Sequence, residues 1–269
     1  MTITVDDVLR RQSSTRTAPL ILDHASFGSH LLLRDRPVPW TDPVACQSYF
    51  GQAQSLFRPD ATLVDVGAAY AQHLELRPDL ASAMAARRRT GFALKTLLAH
   101  SGVATEVAQL VRVLSQTSRE PLVLQIPSPV RWLALAQLAA GDRDLSGIQP
   151  DHAEGASMYV ADWLRGFEEL PVAVLLLDAR RDDVPGLAGL PADELTAYTP
   201  LTNLTGHYRW GLAVRTDGTL DIHGAPDGGV LLAESFWDDG AVPPASLMLG
   251  EIPTHLEPEQ VLARLELLA

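Results

Sequence analysis

The sequence predicts a (β/α)8 barrel of TIM type, on three observations. Short apolar runs ending in a polar residue alternate with helix-length segments, the order of a mostly parallel sheet covered by helices. The central runs, PLVLQI and PVAVLLLD, are apolar on both faces, as strands buried on two sides are. The first run leads into Asp23-His24-Ala25-Ser26-Phe27-Gly28 and not into the glycine-rich phosphate loop that a doubly wound nucleotide binder carries there. The alternative is an open doubly wound α/β sheet. A length of 269 residues makes for a somewhat short barrel, irregular in its C-terminal third.

Residues 1–18 are polar and arginine-bearing and read as a solvated N-terminal arm, leaving 19–269 as a single barrel domain. PLILD (19–23) is the first strand and delivers Asp23 and His24 at its C-terminal end. Prolines and Trp40 make 34–43 an irregular loop, and TLVDV (62–66) is the next strand, ending at Gly67. Helix formers fill 81–100, closing on His100-Ser101-Gly102 as a basic residue before a glycine C-cap; a second helix starts at Thr105. PLVLQI (121–126) is a strand, and Ser128-Pro129 opens a helix that stops at Gly141. Asp151 or His152 opens another through Trp163 and Phe167, before the strand PVAVLLLD (171–178). A helical stretch over 201–207 precedes a strand at 212–215, the turn Thr216-Asp217-Gly218-Thr219 and a returning strand at 220–223. Strands at 229–234 and 246–251 and a helix over 257–268 complete the chain.

Composition narrows the chemistry. The formal net charge of −12 argues against a nucleic-acid partner, because phosphate affinity comes from clustered cations. Lys95 is the only lysine and falls in a predicted helix, where a barrel aldolase would need it at a strand end, which argues against Schiff-base chemistry. Cys46 is the only cysteine, which rules out an internal disulfide and multi-cysteine metal sites and reads as a small buried side chain. No apolar run reaches the roughly 20 residues of a membrane helix, and the N-terminus lacks a secretory signal, so a reducing cytoplasm is expected. No G-x-S-x-G elbow, Walker loop, dinucleotide fingerprint or HExxH pair is present.

In a barrel the site lies at the C-terminal ends of the strands. Polar residues ending the apolar runs are therefore the candidates: Asp23 and His24, Asp65, Gln125 and Ser128, Asp178 with Arg180 and Arg181, Glu234, and Glu251 with His255. For any single one, a solvated strand end or helix cap is the plainer role. Asp23, His24 and His30 form the densest group, with carboxylate and imidazole suited to general acid/base work. Neighbours on a strand point to opposite faces, so Asp23 and His24 enter the barrel together only if the strand has already ended. Asp178 beside Arg180 and Arg181 forms either a grip for a substrate carboxylate or a structural ion pair. His207-Tyr208-Arg209-Trp210 either lines a pocket or ends a helix. Trp40, Phe236 and Trp237 look exposed, at an interface between copies of the chain or over a pocket mouth.

TSREPLVLQIPSPVRWLALAQ, followed by a long helix and LPVAVLLLDAR, resembles the middle of the superfamily that joins uroporphyrinogen decarboxylase to cobalamin-independent methionine synthase. TPLTNLTGHYRWGLAVR and LMLGEIP add to the resemblance, which covers about the last 170 residues. It implies a (β/α)8 barrel with its site at the C-terminal strand ends. The methyltransferase branch holds zinc through His and Cys ligands, which Cys46 alone cannot reproduce. The decarboxylase branch needs no cofactor and handles substrate carboxylates with acidic and arginine residues. No catalytic residue of the family is carried over to a position here.

The leading expectation is a cofactor-independent lyase acting on a small organic acid or carbonyl compound by proton transfer. Asp23, His24 and Asp178 are its catalytic candidates; Arg180, His207, Tyr208, Glu234 and Glu251 are its substrate-binding candidates. The alternatives are a metal-assisted hydrolase or transferase using His and carboxylate ligands, and a non-catalytic barrel subunit.

Overall fold

The computed structural model describes residues 16–268; most of the polar arm read at 1–18 lies outside the described residues. The sheet contains β1 (Leu20–Asp23), β2 (Thr62–Asp65), β3 (Leu122–Pro127), β4 (Val172–Asp178), β5 (Gly211–Arg215), β6 (Leu220–Ile222), β7 (Ala225–Leu231) and β8 (Met248–Glu251). Its order is β1-β8-β7-β6-β5-β4-β3-β2. A parallel bridge between Ile21 and Ala61 brings β1 back to β2, so the sheet is a nearly closed barrel. Every pairing is parallel except those of β6, which runs antiparallel to β5 and β7. The hairpin read from Thr216-Asp217-Gly218-Thr219 thus stands where a regular barrel has a helical crossover, and it is the irregular part of the C-terminal third.

The helices are α1 (Ala25–Leu33), α2 (Pro43–Phe57), α3 (Val66–Glu75), α4 (Pro78–Met84), α5 (Phe92–Leu98), α6 (Ser101–Thr117), α7 (Pro129–Ala139), α8 (His152–Leu164), α9 (Thr199–Tyr208), α10 (Glu234–Asp238) and α11 (Pro258–Glu266). Their local reasons are mostly legible. Asp42 accepts from the N–H groups of Val44 and Ala45 and caps α2, with Pro43 in its first turn. Ser128 does the same for α7, accepting from Arg131 N. The helix expected over 81–100 is broken instead: Gly91 takes φ 87 and starts α5, a conformation that glycine alone adopts cheaply. His100 does not close a helix either: its Nδ1 accepts from Val103 N and opens α6.

Two apolar cores result from the strand alternation. Leu20, Leu22, Val64, Leu124, Leu177 and Val214 belong to the cluster that packs under the helices. Ile21, Leu63, Val123, Leu176, Ala213 and Leu249 belong to a second cluster, which fills the barrel. Trp40, Phe236 and Trp237 are buried, against the expectation of exposed rings. Trp40 packs on Phe50 with centroids 5.7 Å apart. The Trp237 ring lies over β8, so close to Gly250 that a Cβ there would stand 3.3 Å from its Cζ2. No described helix is long and apolar enough to cross a membrane.

Candidate functional site

The alternation that fills the barrel also builds its mouth. Two residues beyond each interior apolar residue the side chain points inward again. Ile21 leads to Asp23, Leu63 to Asp65, Val123 to Gln125, Leu176 to Asp178, Ala213 to Arg215 and Leu249 to Glu251. Register pairs Asp23 with Glu251, Asp65 with Gln125, and Asp178 with Arg215, with a step of two residues between β3 and β4, where Gln125 lies opposite Leu176. A polar layer therefore caps the apolar one at the C-terminal end of the barrel.

Arg215 is its centre. Its Nη1 donates to Asp23 Oδ2 at 3.1 Å and Gln125 Oε1 at 3.2 Å, and its Nη2 donates to Glu251 Oε2 at 2.8 Å. Gln125 passes the network on, its Nε2 donating to Asp65 Oδ2 at 3.0 Å. Arg180 closes the other side. It grips both Asp178 oxygens, Nε to Oδ1 at 3.0 Å and Nη2 to Oδ2 at 2.8 Å, and its Nη1 donates to Glu251 Oε2 at 2.8 Å.

The loop that carries Arg180 is fixed from outside the layer. Arg131, on α7, donates bidentately to Asp183 at 2.7 and 2.6 Å and also reaches the Arg180 carbonyl. Arg181 does not join the layer: its guanidinium donates to Asp193 and to the carbonyls of Leu190 and Pro191. Asp193 in turn accepts from the Tyr198 hydroxyl at the start of α9.

The carboxyl groups of the layer do not share one environment. Burial pushes Asp65 up to about 6; the nearby charges of Asp23 and Asp178 add to this, while hydrogen bonds from Ala68 N and Gln125 oppose it. Burial would raise Asp178 too, but the hydrogen bonds and charge of Arg180, with the charges of Arg131 and Arg215, hold it below the ordinary carboxylate value.

His24 stands apart from this layer. One residue beyond Asp23, it points out of the barrel and into the helical core. Its ring lies 5.6 Å from that of Phe50 and 5.7 Å from that of Phe57, and its Nδ1 is 2.9 Å from the Tyr49 hydroxyl. Burial there lowers its pKa to about 4, against the raising effect of Asp23. His30 is exposed on α1, paired with Asp35. His207 and Tyr208 end α9, just before β5 begins, and so lie at the opposite end of the barrel from the mouth. They line an outer hollow of about 660 Å³ with residues of α8. Glu234 is exposed in the first turn of α10, and His255 is exposed beyond β8; neither shares the layer's hydrogen bonds. Of the candidates read from sequence, the structure brings together Asp23, Asp65, Gln125, Asp178, Arg180 and Glu251.

Two contributing residues were not singled out from sequence. Arg215 reads as the last residue before a turn, yet its position two beyond Ala213 carries the same parity signal as Asp178 beyond Leu176. Arg131 gave no signal, since nothing in the sequence links this arginine in the first turn of α7 to Asp183, 52 residues on. Among the described residues, no three His, Cys, Asp or Glu side chains form a group able to hold a metal ion.

Fold and site together define a TIM-type α/β barrel with a charged, mutually hydrogen-bonded C-terminal mouth. Comparison with family models, with curated proteins and with solved structures returns no match, so the functional reading rests on this geometry.

Proposed function

We propose that the chain is a cofactor-independent enzyme of lyase type, acting at the barrel mouth on a small organic acid or carbonyl compound by proton transfer. The observation that carries this reading is the polar layer at the barrel mouth, where Asp65 is buried against Gln125 while Arg180 grips both oxygens of Asp178; burial pushes the first carboxyl up to about 6 and the arginine holds the second low. A raised carboxyl can give or take a proton near neutral pH, and a depressed one stays ionised to orient its arginine. Asp65 is the leading proton-transfer group, Asp23 is its partner, and Arg180 anchors a substrate carboxylate with Asp178 holding its guanidinium. His24 takes no part in the proton transfer, because its ring lies on the far side of the barrel wall.

Outcomes within the class are decarboxylation, dehydration and carbon–carbon cleavage. We also propose kinship with the decarboxylase branch of the uroporphyrinogen decarboxylase and methionine synthase superfamily, on the resemblance of residues 117–180 and 199–253. A reducing, cytoplasmic setting fits the single buried thiol of Cys46. A barrel that has lost its chemistry would fill its mouth with large apolar side chains. Here the apolar layer stops one level below and charged groups take over, which favours the enzyme. The test incubates the purified protein with a panel of small oxo-, hydroxy- and dicarboxylic acids and follows them by NMR. Consumption of a panel member by the native protein, lost in both Asp65→Asn and Arg180→Gln, supports the reading. Equal consumption by the variants, or none across the panel, removes it.

A further inference from the structure

We propose that Arg180 and Arg215 form an anion subsite which Glu251 fills in the free protein and which a carboxylate of the ligand takes over on binding. The inference rests on the mouth being the site, and it adds what the site must release to bind. One oxygen, Glu251 Oε2, accepts at 2.8 Å from Arg180 Nη1 and at 2.8 Å from Arg215 Nη2. A single carboxylate oxygen shared between two guanidinium groups is how a bound acid would sit there.

Exposure shows which partner leaves. The side chains of Arg215 and Arg180 are 5% and 18% exposed, whereas that of Glu251 is 46% exposed. Both arginines stay held without Glu251, Arg180 by Asp178 and Arg215 by Asp23 and Gln125. Glu251 has no such second anchor within the layer, and its release returns a half-solvated carboxylate to water at small desolvation cost. Arg215 Nε, moreover, is buried without a hydrogen-bond partner, so the guanidinium retains a donor that Glu251 does not use.

Charge selects the ligand. The layer already sets the carboxyls of Asp23, Asp65, Asp178 and Glu251 against the guanidinium groups of Arg180 and Arg215. An anion added on top would meet net negative charge, while one that replaces Glu251 leaves the balance unchanged. The exchange therefore favours a singly charged carboxylate over a phosphate dianion.

The probe is propionate, titrated at constant ionic strength and pH 7 and followed through the arginine Nε–H signals by NMR. Glu251→Ala is expected to bind propionate about tenfold tighter than the native protein, and Glu251→Gln to fall between them. Adding Arg180→Gln to Glu251→Ala is expected to abolish the gain. If Glu251→Ala does not fold, Glu251→Gln against the native protein decides. Equal affinity with and without Glu251, or a gain that survives Arg180→Gln, overturns the subsite. Tighter binding of inorganic phosphate than of propionate overturns the assignment to carboxylates. Propionate exchange without any turnover would remove the enzyme reading alone. Turnover of a carboxylic acid indifferent to Glu251 would remove the subsite alone.

Discussion

Replacing Arg215 by alanine takes away a cation that reaches three other strands of the barrel. Its hydrogen bonds to Asp23, Gln125 and Glu251 differ in worth. Asp23 is 14% exposed and Gln125 is 1% exposed, so losing their donor leaves acceptors away from water. Glu251 is 46% exposed and recovers hydration, which discounts its share. Breaking a buried charge pair from one side costs about 3–5 kcal/mol, and the lower end applies with one partner half solvated. Against a total stability of about 5–15 kcal/mol the variant folds but unfolds at markedly lower urea. Arg215→Lys is expected to recover only part, since a single ammonium cannot reach acceptors spread around a planar fork. Adding Asp23→Asn to Arg215→Ala is expected to restore part of the loss by removing the stranded charge, a coupling of about 0.5–3 kcal/mol. Urea titrations at pH 7 measure all of these. A loss under about 1 kcal/mol for Arg215→Ala, the size of a surface substitution, would refute the idea that Arg215 neutralises the layer.

Other outcomes follow from individual side chains. The Asp65 carboxyl is expected to titrate near pH 6 by carbon-13 NMR; an ordinary carboxylate value would contradict its placement. Because its folded pKa lies above the unfolded one, its stabilising share is full below about pH 4 and is lost as pH rises through about 6; His24 changes with the opposite sign over the same window, so the share is read as the difference between the native protein and Asp65→Asn, and a difference flat across that window would argue against it. His24, lowered to about 4, has the opposite sign: its share is present above pH 6.5 and is lost as pH falls toward 4, and its ring is expected to stay neutral at pH 5.5 by nitrogen-15 NMR. Gly28→Ala would drive a Cβ into the Tyr49 hydroxyl and displace the ring that bonds His24; about 1–3 kcal/mol of destabilisation is expected by thermal melting. Cys46 is fully buried and its thiol is pushed up to about 12, so a thiol reagent is expected to label it only after unfolding; rapid labelling of the native protein would overturn its placement.

The parallel strands and their polar ends were legible because both follow from local pattern. TLVD, LVLQ and LLLD carry their meaning in the alternation, and the same parity that puts Asp23 inside the barrel puts His24 outside it. What the sequence left open was whether the strand had ended before His24, and that depends on Tyr49, Phe50 and Phe57, which arrive from α2. The break in 81–100 was concealed because Ala, Arg and Leu all favour helix, while the turn is set by Gly91 and the packing of α4 and α5. His100 and Gly102 imitate a helix end, yet the imidazole accepts a backbone hydrogen bond and starts the next helix. Arg215 escaped attention because its partners come from strands that are 192, 90 and 36 residues away, distances that no local window spans. The burial of Trp40 and Trp237 is likewise a property of neighbours brought together by the fold.

Proton transfer at the mouth is tested most directly by solvent exchange. The native protein, incubated in deuterium oxide with small oxo-acids and hydroxy-acids, is expected to wash deuterium into the carbon beside the carbonyl or carboxylate of its substrate. Asp65→Asn is expected to stop that exchange and His24→Ala to leave it in place, with proton NMR reading the vanishing carbon-bound signal. Exchange that survives Asp65→Asn and fails in His24→Ala would contradict the account and return the chemistry to the imidazole behind the barrel wall.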